Sequence, residues 1–177
     1  MDQKVTLAIA SLLVAGVGLG LLISPGNSPV DGDKASVNEI RSESLVDVNS
    51  GSSFRISGLE KPVLVGTFAV WCTRCEKRQE RINDLQRTYE NFSAVSLDVD
   101  PAESRSQVTR HTLSNQFDWR FVMAQEDIIK KLESKFGEGF LKASNNSIAV
   151  ICEDSMRIVS EATRKDSYLE EEIKRGC

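Results

Sequence analysis

The longest hydrophobic segment of the chain lies near its start. An uncharged, mostly apolar run extends from Val5 to Ile23; Lys4 precedes it, and Asp31 and Asp33 follow it. A helix of this length spans the hydrocarbon core of a bilayer. Positive charge before the run favours a cytoplasmic amino end. We therefore predict a single-pass cell-membrane anchor over residues 1–24, with a cleaved signal segment as the alternative. Either outcome leaves the rest of the chain outside the cytoplasm.

The hydrophobic pattern disappears after this run and then returns as short alternating segments. Residues 25–36 are rich in Pro, Gly, Ser, Asn and Asp and have no periodicity, which is typical of a flexible linker. Val37 to Val48 alternates loosely, and a turn signal at residues 49–51 separates it from Phe54. This arrangement predicts a small hairpin at the start of a domain that covers residues 37–177.

Strand-like and helix-like patterns alternate along the remainder of the domain. The predicted elements are a buried strand over 63–70, a helix from 72 to about 91, a strand over 94–99, a weaker helix over 102–115, a short strand over 119–123, a helix over 125–136, two strands over 147–152 and 156–162, and a helix from 166 or 167 to about 174. Such alternation requires parallel strands with helices on the faces of the sheet. The last two strands form an antiparallel hairpin. The predicted fold class is α/β, with a central mixed sheet flanked by helices.

Composition narrows the function classes. The formal net charge is −4, so the chain lacks the basic character of a nucleic-acid binder and we predict no nucleic-acid partner. Four cysteines are too few for a disulfide-stapled miniprotein of 177 residues. His111 is the single histidine and, among polar neighbours on a weak helix, we interpret it as a surface residue. We predict neither a metal site nor a cofactor.

The strongest chemical motif is Trp71-Cys72-Thr73-Arg74-Cys75, at the junction of the buried strand and the following helix. Cysteines at this spacing in the first turn of a helix can form a disulfide with each other. Unpaired N–H groups and the positive end of the helix dipole stabilise a thiolate at Cys72. Cys72 is therefore the predicted attacking thiol, and Cys75 the resolving thiol. The alternative, half of a zinc site, needs two more ligands at similar spacing, and the sequence offers none.

The remaining cysteines and the basic residues of the helix after the motif have plainer interpretations. We interpret Cys152, in an apolar strand, as a core cysteine, and Cys177 as an exposed residue, with an intermolecular disulfide as its alternative use. We interpret Arg74, Lys77, Arg78 and Arg81 as a solvated face, with a docking surface for an acidic partner as the alternative.

The strand at residues 61–65, the Trp-Cys-x-x-Cys motif and the terminal hairpin together resemble the thioredoxin superfamily over roughly residues 40–175. The preceding anchor and hairpin are similar to its membrane-tethered, extracytoplasmic branch of thiol–disulfide oxidoreductases. The resemblance implies a thioredoxin-like fold and partners outside the cytoplasm that carry cysteine thiols or disulfides. It also implies that Trp71, Thr73 and Arg74 shape the site and that the loop at Asn146 and Ser147 docks the partner's backbone.

The sequence departs from the family at two positions that matter for the chemistry. The family has a cis-proline before the strand of the final hairpin, whereas Asn145, Asn146 and Ser147 stand here. Because a non-proline cis bond costs about 2.5–4 kcal/mol, we expect a trans or differently shaped loop. Thioredoxins also carry a buried acid in the strand before the motif, and Gly66 occupies that place.

A weaker similarity, to the Sco-type copper-assembly proteins, involves residues 96–101 and 118–121. Those proteins use a longer cysteine spacing and a histidine near the final hairpin, and this chain has neither. The first hypothesis is thus a membrane-anchored thiol–disulfide oxidoreductase. The alternatives are a copper(I) metallochaperone and an interaction module with a permanently closed disulfide.

Overall fold

The structure is a computed structural model that describes residues 30–160 and 167–177. Its strands are β1 (Leu45–Val46), β2 (Ser53–Phe54), β3 (Val63–Phe68), β4 (Ser93–Asp98), β5 (Arg120–Met123), β6 (Ser147–Ile151) and β7 (Met156–Ser160). Its helices are α1 (Val30–Ser42), α2 (Thr73–Gln86), α3 (Arg105–Asn115), α4 (Glu126–Phe136), α5 (Glu138–Leu141) and α6 (Tyr168–Arg175). From β3 onward, the order of strands and longer helices is the predicted one.

Five strands form one mixed sheet in the order β5-β4-β3-β6-β7. β3, β4 and β5 run parallel, whereas β6 is antiparallel to both β3 and β7. The carboxyl ends of β3 and β4 therefore meet at one edge, where loops of an open α/β sheet commonly form a binding site. The predicted α/β fold with a mixed sheet flanked by helices is confirmed.

The central strand β3 is buried along its whole length, because helices cover both faces of the sheet. Leu64 and Phe68 belong to a hydrophobic cluster that includes residues of α2, α3 and α6. Val63 and Val65 belong to a second cluster that includes residues of α1, α4 and α5. This alternation points Gly66 toward the face on which α2 lies, because side chains two residues apart share one face of a sheet.

The amino-terminal part of the domain differs from the prediction. A hairpin is present, but its strands β1 and β2 contain two residues each. The first half of the predicted strand, together with residues 30–36 of the predicted linker, forms α1. Val37 and Ile40 are buried against the sheet, three residues apart as on one face of a helix. A helical spacing was thus misinterpreted as loose alternation.

The predicted membrane anchor, residues 5–23, lies outside the described residues. No helix in the described ranges is long and apolar enough to cross a bilayer. The anchor, the alternative signal segment and the domain limits stay predictions.

Candidate functional site

Cys72 and Cys75 lie where β3 ends and α2 begins, and they form a disulfide with their Cα atoms 5.2 Å apart. Cys72 has an extended backbone and is the N-cap of α2. Its sulfur accepts a hydrogen bond from the backbone N–H of Cys75 at 3.2 Å. A sulfur atom here takes the place of the hydroxyl or carboxylate oxygen that usually caps a helix. The first turn of α2 therefore provides a hydrogen bond to Cys72 that strengthens when the sulfur is negative.

The two sulfurs differ in their nearest polar group, a backbone N–H for Cys72 and a carbonyl oxygen for Cys75. The carbonyl oxygen of Ala143, in a short 3-10 helix before β6, lies 3.2 Å from the Cys75 sulfur and 3.7 Å from the Cys72 sulfur. When the disulfide is reduced, a thiol at Cys75 can donate to this oxygen, whereas a thiolate would be repelled by it. A hydrogen bond to the neutral form of an acid raises its pKa and a hydrogen bond to the charged form lowers it. The geometry therefore favours a thiolate at Cys72 and a thiol at Cys75.

A groove lies beside the residues that adjoin the disulfide. Cys75 is fully buried and Cys72 is 5% exposed, whereas the preceding Trp71 is 65% exposed. The groove has a volume of about 290 Å³, and its walls are the segment from Ala69 to Trp71, the loop after β4 and residues 141–144. The Trp71 indole N–H donates to Oδ2 of Asp100 at 2.6 Å. This hydrogen bond lowers the pKa of the Asp100 carboxyl, so a charged carboxylate fixes the ring at the wall of the groove.

The residues predicted to shape the site are only partly at its surface. Thr73 and Arg74 are exposed in the first turn of α2. Asn146 and Ser147 are buried, and their docking of a partner's backbone stays a prediction. Asn146 has a left-handed backbone, and the one cis bond among the described residues is Lys61–Pro62. The expected absence of a cis bond near Asn146 is confirmed, and the left-handed turn there replaces it.

A buried arginine lies against Gly66, where the family has an acid. Arg78 is 3% exposed, and its guanidinium donates to the carbonyl oxygens of Thr67 at 2.6 Å and Ser147 at 3.2 Å. A Cβ atom on Gly66 would lie 3.0 Å from Nη2 of Arg78, so the absent side chain makes room for the guanidinium. The interpretation of Arg78 as part of a solvated face is wrong. Its position three residues after Cys75, on the same face of α2, was the available signal.

Two carboxyl groups support the segment before the motif. Both carboxylate oxygens of Glu103 accept the backbone N–H of Val70, at 2.8 and 2.9 Å. Asp98, at the end of β4, is 2% exposed. Burial, together with the negative charges of Glu103 and Asp100, raises the pKa of Asp98 to about 7. Sequence patterns mark Asp98 only as a strand end and give no sign of this burial.

His111 is also buried, so its interpretation as a surface residue is wrong. Its Nε2 atom lies 2.8 Å from Oε1 of Gln79 on α2, and its ring stacks on Phe68 with centroids 5.8 Å apart. Burial lowers the pKa of His111. This side chain fills the space between α3 and the sheet behind the motif.

The other two cysteines form a second disulfide within the chain. Cys152 and Cys177 have Cα atoms 5.5 Å apart. Cys152 is buried, as expected for a core cysteine, and Cys177 is exposed, but neither is a free thiol here. The interpretation that left them unpaired is wrong, because α6 returns the chain to the end of β6 across a separation that sequence spacing does not encode. In the described part of the chain, no three His, Cys, Asp or Glu side chains are grouped as metal ligands.

Comparison with known proteins identifies the fold. No protein-family model matches the chain, and no curated protein sequence matches it. Among solved structures, a secreted Mycobacterium tuberculosis disulfide oxidoreductase homologous to Escherichia coli DsbE matches with a TM-score of 0.61 and 10% identity, over 80% of this chain and 98% of that one. A thiol:disulfide interchange protein of the thioredoxin family from Chlorobium tepidum matches with a TM-score of 0.61 and 18% identity, over 75% and 91%.

A peroxidoxin, BcpB of Mycobacterium tuberculosis, is also similar, with a TM-score of 0.57 and 20% identity over 75% of this chain and 89% of that one. A disulfide oxidoreductase, a thiol:disulfide interchange protein and a peroxidoxin thus share this architecture. The chain has a thioredoxin-like fold, as the sequence resemblance implied.

Proposed function

We propose that the protein is a thiol–disulfide oxidoreductase that exchanges disulfides with cysteine-containing proteins outside the cytoplasm, held at the membrane by residues 5–23. The observation that carries the exchange activity is the difference in the nearest polar group of the two sulfurs. A backbone N–H points at Cys72 and a carbonyl oxygen at Cys75. A thioredoxin-like fold by itself would not fix the chemistry, since function resides in the site.

The reaction divides between the two cysteines according to their surroundings. In the reduced protein, the Cys72 thiolate attacks a disulfide of the partner, and the partner's other sulfur leaves as a thiolate. A mixed disulfide then joins Cys72 to the partner. The Cys75 thiol loses its proton and attacks the Cys72 sulfur, which re-forms the intramolecular disulfide and releases the partner's second thiolate. The partner gains two electrons and this chain loses two.

The groove beside Trp71 suits an extended segment of a partner protein. Its walls combine apolar residues with the Asp100 carboxylate on one side and Lys142 on the other. The groove is lined by Trp71 and Ala143, which adjoin the disulfide, so a partner segment bound there would lie next to Cys72. The membrane anchor and the extracytoplasmic partners rest on the hydrophobic run at residues 5–23 and on the sequence resemblance.

Thiol trapping of the full chain tests the proposal. We expect Cys72 and Cys75 to interconvert between dithiol and disulfide in glutathione buffers, and the reduced chain to be alkylated first at Cys72. Cys75→Ser should accumulate a mixed disulfide with a model disulfide protein, whereas Cys72→Ser should form none. Faster alkylation of Cys75, or one-to-one copper(I) binding without any disulfide exchange, would contradict the proposal.

A further inference from the structure

The Cys152–Cys177 disulfide lies at the end of the sheet opposite to the Cys72–Cys75 disulfide. Cys152 directly follows β6, and Ile151 of that strand pairs with Val63 at the start of β3. The motif begins beyond the other end of β3, which has six residues and so spans roughly 20 Å. The two disulfides therefore cannot exchange directly with each other, and any chemistry at the second is independent of the first.

The two residues of the second disulfide differ in exposure. Cys152 is 3% exposed, whereas Cys177 is an exposed residue that follows α6. Attack on a disulfide proceeds along the axis of the two sulfurs, and the sulfur that is not attacked leaves. An external thiolate can therefore reach Cys177, and Cys152 is the leaving group.

A guanidinium group is positioned at the leaving sulfur. Nη1 of Arg157, on β7, lies 3.8 Å from the Cys152 sulfur, and Nη2 donates to the carbonyl oxygen of Gly176 at 3.3 Å. Nε of Arg157 donates to the carboxylate of Glu172 at 2.7 Å. Arg157 thus contacts the Cys152 sulfur, the residue that precedes Cys177, and Glu172 of α6, which holds the guanidinium in place.

Arg157 brings a positive charge next to the Cys152 sulfur. Glu172 is fully buried and pairs with two guanidinium groups, those of Arg157 and Arg175. The nearby carboxylate of Glu153 is paired with Arg41 and Lys61. A thiolate formed at Cys152 would therefore lie beside the guanidinium of Arg157, and a neighbouring cation stabilises a thiolate and makes it a better leaving group.

We propose that Cys152–Cys177 is a second thiol–disulfide exchange site, with an external dithiol as its reductant. One thiolate of the dithiol attacks the Cys177 sulfur, forming a mixed disulfide and breaking the Cys152–Cys177 bond. Cys152 leaves with the electron pair as a thiolate beside Arg157. The second thiol of the reductant loses its proton and attacks the reductant's first sulfur, which is bonded to Cys177. This attack breaks the mixed disulfide and releases Cys177 as a thiolate. The dithiol becomes a disulfide, and this chain gains two electrons.

The test uses the full chain with Cys72→Ser and Cys75→Ser, so that its result does not depend on the proposed function of the first site. Glutathione is added under native conditions, the reaction is quenched by acid and alkylation, and peptides are identified by mass spectrometry. We expect glutathione on Cys177 and the alkylating group on Cys152. Dithiothreitol should release two thiols per chain without unfolding. Glutathione on Cys152, or reduction only after denaturation, would overturn the proposal.

The role of Arg157 is tested by variants in the same background. Arg157→Gln should slow adduct formation about three- to tenfold, because the leaving thiolate loses its neighbouring cation. Arg157→Lys should keep a rate close to that of the parent chain. Arg87 is an exposed arginine at the carboxyl end of α2. Arg87→Gln changes the net charge by the same amount as Arg157→Gln and is the matched control. Equal rates in all four chains would overturn the role of Arg157. If Arg157→Gln fails to fold, the position of the glutathione adduct in the parent chain still shows whether Cys177 is the attacked residue.

Discussion

The two disulfides occupy opposite ends of one sheet and differ in how much of the chain they constrain. Cys72 and Cys75 are three residues apart, whereas Cys152 and Cys177 are separated by 25. The loop-entropy relation gives about 2 kcal/mol of stabilisation for the short ring and about 3.5 kcal/mol for the long one. Opening the short ring releases almost no chain, so the fold persists in both redox states. Opening the long ring frees the end of α6.

The chemical surroundings differ as well. At the first disulfide, the sulfur of the less buried residue, Cys72, is the one that receives a hydrogen bond, from the backbone N–H of Cys75. At the second, the favourable contact is made to the buried sulfur, by the side chain of Arg157. The first arrangement activates a nucleophile and the second activates a leaving group. The comparison predicts that the first site attacks the disulfides of partners, and that the second site is attacked by the thiols of partners.

The largest expected effect is on stability. Replacing both Cys152 and Cys177 with serine should lower the free energy of unfolding by about 3.5 kcal/mol and leave exchange at Cys72 intact. The matched pair, Cys72→Ser with Cys75→Ser, should lower it by about 2 kcal/mol and abolish exchange. Urea unfolding followed by circular dichroism measures both. An equal loss of unfolding free energy in the two double variants would contradict the predicted dependence on loop length.

Arg78 lies behind the first disulfide alone, so its removal should separate the two sites. Arg78→Met leaves two buried carbonyl oxygens without their donor and should destabilise the fold by about 2–3 kcal/mol. Loss of the buried cation should also lower the reduction potential of Cys72–Cys75 by about 30 mV, because a cation favours the thiolate form. Glutathione titration measures both potentials. Cys152–Cys177 should not change, and neither pair should change in Arg87→Met. A shift of both potentials in Arg78→Met would contradict a local effect.

Asp98 gives the first region a pH dependence that comes from a raised pKa. Its pKa is about 7 in the folded chain, against 3.8 for an ordinary aspartate. Between these values the folded state holds a proton that the unfolded state has lost, so stability decreases as pH rises from about 4 through 7. We expect a loss of about 2 kcal/mol, roughly half of what the whole shift corresponds to, because neighbouring Glu103 shares the titration.

Asp98→Asn should abolish this decrease. His111 acts in the opposite direction, because its lowered pKa removes stability as pH falls through about 6.5. Denaturation curves are measured for Asp98→Asn and the parent chain between pH 4 and 8. The difference between their free energies of unfolding gives the contribution of Asp98 to the pH dependence. Parallel pH profiles in the two proteins would contradict the raised pKa.

The smallest expected effect concerns the wall of the groove. Trp71→Phe removes the indole N–H that binds Asp100 and should slow exchange with a protein substrate at Cys72 about threefold, the equivalent of one modest hydrogen bond. Exchange of Cys72 with glutathione should change less, because a small thiol makes fewer contacts with the wall. Glutathione reaction at Cys177 is the internal control. An equal slowing at both disulfides would indicate a change in the whole fold rather than in the groove.

Local patterns predicted the sheet, most helices and the position of the motif, because buried strands and amphipathic helices leave clear periodicities. Local patterns could not predict the burial of Arg78, because the space that accepts its guanidinium exists only after α2 lies over Gly66. The Cys152–Cys177 bond likewise depends on where α6 ends in three dimensions. Val37 and Ile40 have a helical spacing. Because the residues around them gave only weak helix signals, this segment was interpreted as a strand.

The oxygen atom that faces both sulfurs of the motif belongs to the main chain at Ala143. Every amino acid carries the same oxygen, so selection for this contact acts on the path of the loop and not on the identity of the residue. Evolution could therefore preserve the contact while the sequence at this position drifts. Substitutions that alter the left-handed turn at Asn146 would disturb it more than a conservative change at Ala143 itself.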